Sequence, residues 1–307
     1  MVFAFLSLCI DPLIRRRKGG DFMMDSHIHL SYAYYDQLFP YIDMENGDFV
    51  IREGKRDSLI REMKKRGIEC CIEPAIDVAS NELLLRLSSQ ERGFIYPAVG
   101  NHPTRCIHSS LRDFKRVREY AKSPEVVAIG ETGLDYHYER KKQHRLKQKL
   151  WFQWQINLAH EMELPLILHI RLAHEDALRI LTKNKGKLHG GVCHCFAGGA
   201  DVAKVYTEEL GLCLGIGGTL LMKQQISESL KQAVASVSME SLLLETDGPY
   251  VKPERPDGIV GKRWKKAHNT SLILPAVAKR IAEIKDIPIE DVMKITAENT
   301  KRVFHLT

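Results

Sequence analysis

From residue 24 onward the chain repeats one pattern: a short apolar, β-branched run, in most cases followed by a longer amphipathic one. The short runs are MDSHIHL (24–30), IECCIEPAI (68–76), GFIYPAVG (93–100), VVAIGETGL (126–134), PLILHI (165–170), GGVCHCF (190–196), GLCLGIGG (211–218) and SLLLETDGP (241–249). Between most of them lie segments of helical period, such as RDSLIREMKKRG (56–67) and KKQHRLKQKLWFQWQINLAHEME (141–163). Two further helical segments, SLILPAVAKRIAEI (271–284) and IEDVMKITAENTKRVF (289–304), close the chain. Strands that are apolar throughout and separated by helices belong to a parallel sheet covered on both faces. Eight such units in about 280 residues predict a single (β/α)8 TIM barrel over residues 23–307 rather than an open doubly wound sheet. With 44% hydrophobic and 27% charged residues, the chain can bury that core without disulfides.

In a barrel of this kind the chemistry sits at the C-terminal ends of the strands. Polar residues there are His27 and His29, Asn101 and His102, Glu131, His169, His194 and Asp247. In a strand, residues two apart share a face, so His27 and His29 converge while Ser26, Ile28 and Leu30 point the other way. The same alternation sends Cys193 and Cys195 away from His194 and into packing. Four histidines and two carboxylates exceed what one tetrahedral structural zinc uses, but suit two divalent ions sharing a carboxylate. Imidazole with carboxylate fits Zn, Mn, Fe, Ni or Co better than Ca, and Mg stays among the ions expected for the pair. Taken singly, His169 also reads as a hydrogen-bonded core histidine and Asp247 as a turn cap. Asn101, Asp135 and Glu245 are candidates to orient the ligands. Arg171, two residues after His169, is placed either to hold a phosphate or to pair with Glu131 or Glu245.

A segment after the last strand, VKPERPDGIVGKRWKKAHN (251–269), carries Lys262, Arg263, Lys265 and Lys266 around Trp264. Cations with a stackable ring suit single-stranded nucleic acid; a solvated loop with Trp264 against the barrel is the competing reading. KKQHRLKQK (141–149) is basic at helical spacing and reads as a solvated face. The formal charge of +6 tolerates an acidic partner without requiring one. Seven cysteines, none in a CxxC pair, suit reduced thiols in the cytoplasm. No apolar run reaches the length of a membrane span, so the chain is expected to be soluble, and a monomer is the expected state.

Residues 1–22 form an apolar stretch followed by RRRKGG, the reverse of a signal peptide's order. Lys18 to Asp21 can be encoded by a purine-rich ribosome-binding sequence, so translation is expected to start at Met23 or Met24, making 1–22 a misassigned leader.

DSHIHL, GNHP, AIGETGLDY, PLILHIRLAHEDALRIL, HCFAGG, GLCLGIGG and LLLETDGPYVKP, in this order, resemble the TatD-like metal-dependent hydrolases of the amidohydrolase superfamily. The resemblance runs from about residue 24 to the C-terminus. It implies a (β/α)8 barrel, a two-metal site and phosphodiester hydrolysis, commonly of DNA. Carried over by position, His27, His29 and Asp247 hold one metal, His169 and His194 the second, and Glu131 bridges them. A water activated between the metals then attacks, with Asp247 as proton acceptor. His102 in GNHP either contacts the substrate or fixes its loop. The chain departs from the family where Thr270 and Ser271 replace a Glu-Pro after Asn269, and where GNHPTRC lacks a second histidine. These departures leave the metal ligands intact and fall on the substrate side.

The expected activity is therefore a metal-dependent deoxyribonuclease acting on single strands or strand ends. Its alternative is the same machinery turned on a small ester, lactone, amide or phosphoester, because fold and metals alone do not choose the bond.

Overall fold

A computed structural model describes residues 22–223 and 225–306, so the expected leader, apart from Phe22, lies outside the described residues. Ten strands occur in the order β1 (Met23–Asp25), β2 (Phe39–Glu45), β3 (Asp48–Gly54), β4 (Ile68–Pro74), β5 (Ile95–Val99), β6 (Ala128–Asp135), β7 (Leu166–Arg171), β8 (Gly191–Cys193), β9 (Cys213–Ile216) and β10 (Leu242–Leu244). Eight of them pair in parallel in the order β1-β4-β5-β6-β7-β8-β9-β10. Closure comes from the segments just beyond β1 and β10: Ser26 N–H donates to Leu244 O at 2.9 Å, Asp247 N–H to His27 O at 2.9 Å and His29 N–H to Gly248 O at 2.8 Å. The (β/α)8 barrel expected from the repeat is the fold of this chain.

One apolar residue from each of seven strands fills the lumen below the mouth: Ile72, Ala98, Ala128, Ile167, Val192, Cys213 and Leu243, with Val303 at the end of the last helix and Phe304 just after it packed against them. Two residues further along the strands the same inward row turns polar, from Ile167 to His169, from Val192 to His194 and from Leu243 to Glu245 and then Asp247. The intervening residues Leu166, Leu168, Cys193, Leu242 and Leu244 pack outward in the main core. Alternation at period two thus sorts one strand into a greasy floor, an oily outer face and a polar rim. No helix among the described residues is long and apolar enough to cross a membrane.

The hairpin β2–β3 stands outside the barrel and outside the eightfold repeat. It pairs antiparallel from Phe39 with Gly54 to Glu45 with Asp48. Its two-residue turn, Asn46-Gly47, has φ of 52° and 90°, the positive pair that lets a tight hairpin follow the strand twist. Tyr41 bridges in parallel to His268, and Ile42 N–H donates to His268 O at 2.9 Å, which fastens the hairpin to the segment after β10.

Candidate metal centre

The strand expected over 24–30 ends as a ladder at Asp25. The Asp25 carboxylate takes the His27 N–H at 3.2 Å, a local bond at the point where the regular ladder gives way to a bend, although Ile28 N–H still donates to Ile72 O at 3.1 Å. It also accepts the N–H and hydroxyl of Thr246 at 3.0 and 2.6 Å and the hydroxyl of Ser271 at 2.7 Å. Burial pushes its pKa up to about 6 against these donors. Asp25 therefore ties the first strand's exit to the last one's, and Ser271, one of the departures from the family pattern, is part of the tie.

Beyond the bend the imidazoles of His27 and His29 still converge, with Nε2 atoms 3.3 Å apart. Asp247 Oδ1 lies 3.6 Å from each of those nitrogens. Asp247 itself has φ 51°, a left-handed conformation that Asp tolerates better than most residues and that turns the carboxylate into the mouth. Cys195, directly after His194, has φ 44°, and Leu172, directly after Arg171, has φ 53°. Three strand exits thus break in the same sense beside a residue named from the sequence.

On the other side of the mouth Glu131 Oε1 lies 2.8 Å from His194 Nε2 and 3.0 Å from His169 Nδ1. Its Oε2 lies 3.7 Å from both His27 and His29. Burial opposes ionisation of Glu131, but His194, His102 and the hydrogen bonds from His169 and His194 outweigh it and hold the carboxyl well below its usual range. His27 and His194 stack at 3.8 Å, which brings the two groups of side chains into one cluster.

Four imidazole nitrogens and two carboxylates converging at these distances form a donor set that fits divalent cations of the imidazole-and-carboxylate kind. His27, His29 and Asp247 make one cluster of potential ligand atoms; His102, Glu131 and His169 make another. Orientation is supplied from behind. Asp135 Oδ2 stands 3.0 Å from His169 Nε2 and takes the His137 and Tyr138 N–H groups on its other oxygen at 2.9 Å each. Glu245 accepts the Cys195 N–H at 2.5 Å and also clusters with His27 and His194. It is seated against Gly215, where a Cβ would fall 1.9 Å from its Oε2. That collision is why GLCLGIGG carries glycine at that position.

Other sequence candidates land differently. Asn101 is buried, but its side-chain amide donates to Ser109 Oγ at 2.8 Å and orients no ligand histidine. His102 caps a short helix (Pro103–Cys106) by accepting the Thr104 N–H at 3.2 Å, and its Nε2 is 3.5 Å from Glu131 Oε1. It thus fixes its loop and reaches the cluster together, the two roles the sequence kept apart. Arg171 is exposed and lies 5.0 Å over the Tyr138 ring instead of pairing with Glu131 or Glu245. Trp264 is a correction: it lies in a helix (Gly261–Lys266), is only 6% exposed and packs on Phe49 of β3, so its face is not open to a base. Lys262 and Arg263 are exposed on that helix, with Arg263 donating to Ile51 O at 3.4 Å.

Sequence reasoning missed Glu73 and the aromatic residues beside His29. Glu73 belongs to the polar strand-end series of IECCIEP and takes the Ser31 N–H at 2.6 Å beneath the site. Of these aromatics, Tyr32 lies in SYAYY, a run with neither helical nor strand period, and Tyr250 in the turn after Asp247.

A sequence model described as TatD related DNase matches residues 24–305. An uncharacterized metal-dependent hydrolase, YabD of Bacillus subtilis, is 34% identical over 284 residues, covering 92% of this chain and 99% of that protein. The 3'-5' ssDNA/RNA exonuclease TatD of Erwinia amylovora is 30% identical over 254 residues, covering 82% of this chain and 94% of that protein. Among solved structures, YJJV, a TatD homologue from Escherichia coli K12, aligns with a TM-score of 0.77 at 23% identity over 94% of this chain and 100% of that one. On the match that runs from the first histidine pair to the last helix, this chain belongs to the TatD-related DNase family.

Proposed function

We propose that this protein is a divalent-metal-dependent phosphodiesterase that hydrolyses DNA from single strands or strand ends. The observation that carries the reading is the division of Glu131 between two histidine pairs, Oε1 towards His169 and His194 and Oε2 towards His27 and His29. His27, His29 and Asp247 are the ligands for one cation, His169 and His194 for a second, and Glu131 for both. When bound, two such cations supply Lewis acidity, lowering the pKa of a water towards neutrality and polarising a phosphoryl oxygen. Asp247, 14% exposed where His27 and Glu131 are sealed, is the carboxylate that reaches the attacking water and takes its proton. His102 is held neutral, its pKa pushed down to about 3 by burial and by His169. With Nδ1 accepting from Thr104, His102 presents an Nε2–H, a neutral donor for a phosphoryl oxygen. Arg171 offers its planar fork to the phosphate at the rim.

The test is end-labelled single- and double-stranded DNA given to chelator-stripped protein and then to protein with Mg, Mn, Zn or Co restored, alongside His169→Ala and Asp247→Asn. Hydrolysis that needs metal and is lost in both variants supports the reading, as does a rate that falls steeply with added salt. Metal-independent degradation, or full activity in both variants, overturns it. DNA left intact under every metal while a small phosphodiester or lactone is cleaved assigns the same site to a small substrate.

A further inference from the structure

Beside the His29 and Asp247 side of the mouth stand three tyrosines that no part of the proposed hydrolysis uses. Tyr32 lies 5.6 Å from the His29 ring at an interplanar angle of 30°. Tyr250, three residues after Asp247, lies 6.1 Å from His29 and 6.3 Å from Tyr32, nearly perpendicular to the latter at 76°. Its hydroxyl donates to Tyr32 Oη at 3.3 Å, and its N–H is fixed to Asp247 O at 2.8 Å. Tyr34 extends the row, 5.6 Å from Tyr32 and backed by His268 at 4.7 Å. Tyr250 is 52% exposed and Tyr34 36%.

Exposed aromatics scattered singly need no explanation. These touch one another, are braced by a hydroxyl pair and a turn hydrogen bond, and continue the wall of the metal cluster into solvent. The perpendicular meeting of Tyr32 and Tyr250 makes a corner with one ring face and one ring edge, the complement of a flat π-system. Trp264, the ring expected from the sequence to stack on a base, is packed away, whereas this corner is open.

We infer that Tyr32, Tyr34 and Tyr250 form a seat for a nucleobase at the end of the strand being hydrolysed, holding it by stacking while its phosphate meets the metal cluster. The inference rests on the nuclease reading and names its substrate requirement: a planar base next to the scissile phosphate. Stacking tolerates any base, so the seat selects nucleotides over aliphatic phosphoesters without selecting sequence.

The test compares two end-labelled single strands of one sequence, one intact and one with abasic tetrahydrofuran residues at the terminal positions of both ends, using metal-loaded protein. Wild type is expected to show a kcat/KM about tenfold higher for the intact strand. Tyr250→Ala and, independently, Tyr34→Ala bring that ratio close to one, and Tyr250→Phe, which keeps the ring, retains it. A wild-type ratio near one, or a ratio undisturbed in both alanine variants, overturns the seat while leaving the nuclease standing. Failure of wild type to cut either strand overturns the nuclease reading itself, and the seat with it.

Discussion

Oε1 of Glu131 lies 2.8 Å from Nε2 of His194 while the other oxygen of the same carboxylate faces His27 across the mouth at 3.7 Å. One side chain on β6 is therefore shared by histidines from opposite sides of the barrel.

It follows that Glu131→Ala harms both halves of the centre, whereas His29→Ala or His169→Ala harms one. Metal analysis of purified protein should find roughly one equivalent lost in each histidine variant and roughly two in the glutamate variant. Hydrolysis should fall by more than about a hundredfold in all three. A Glu131→Ala protein that keeps its metals contradicts the bridging role.

Ser271 and Thr246 both donate to the buried carboxylate of Asp25. Ser271→Ala and Thr246→Val should each cost about 1–3 kcal/mol in urea denaturation, because a donor to a buried charged group is removed. The double variant should depart from the sum of the single ones, since the two share one acceptor. Strict additivity would show that Asp25 does not couple them.

Trp264 is packed against Phe49, and its carbonyl accepts from Lys252 Nζ at 3.1 Å. Trp264→Ala should lower stability by about 3 kcal/mol. Single-strand binding should fall no further than that loss of folded protein explains. A stable Trp264→Ala protein with weakened DNA binding would restore the ring to the substrate surface.

Cys70, Cys71, Cys106, Cys193 and Cys213 are free and buried. Burial raises all five thiols, Cys106 to about 12. The thiolate is the reactive form, so at pH 8 iodoacetamide should leave these five unmodified in the native protein and alkylate them in guanidinium. Peptide mass mapping reads the outcome, and rapid native labelling at any of the five contradicts its placement.

The barrel was legible because one periodicity recorded three things in each strand: a floor residue, an outward residue and a rim residue. Ile167, Leu168 and His169 are consecutive, and alternation alone separates them. The candidate ligands could be named as strand-end anomalies, but the division of Glu131 between two pairs joins residues far apart in the chain, and no local pattern encodes it. The ladder in MDSHIHL stopped early because Asp25 captured a backbone N–H. The hairpin was readable from Asn46-Gly47 between apolar runs, yet it falls outside the eightfold repeat that organised the reading. Trp264 was ambiguous for a different reason: a tryptophan amid lysines looks the same whether its ring faces solvent or its own hairpin, and only Phe49 decides.

The barrel closes between its first and last strands, and the metal cluster lies across that seam. His27 and His29 are therefore among the earliest described residues to leave the ribosome, while Asp247 and the Ser271 that donates to Asp25 emerge near the end of synthesis. A partly made chain lacks Asp247 and so cannot bring the cluster together. Polypeptides cut short before residue 247 lack the complete cluster for the same reason. Placing the cluster on the seam makes completion of the chain the event that assembles it.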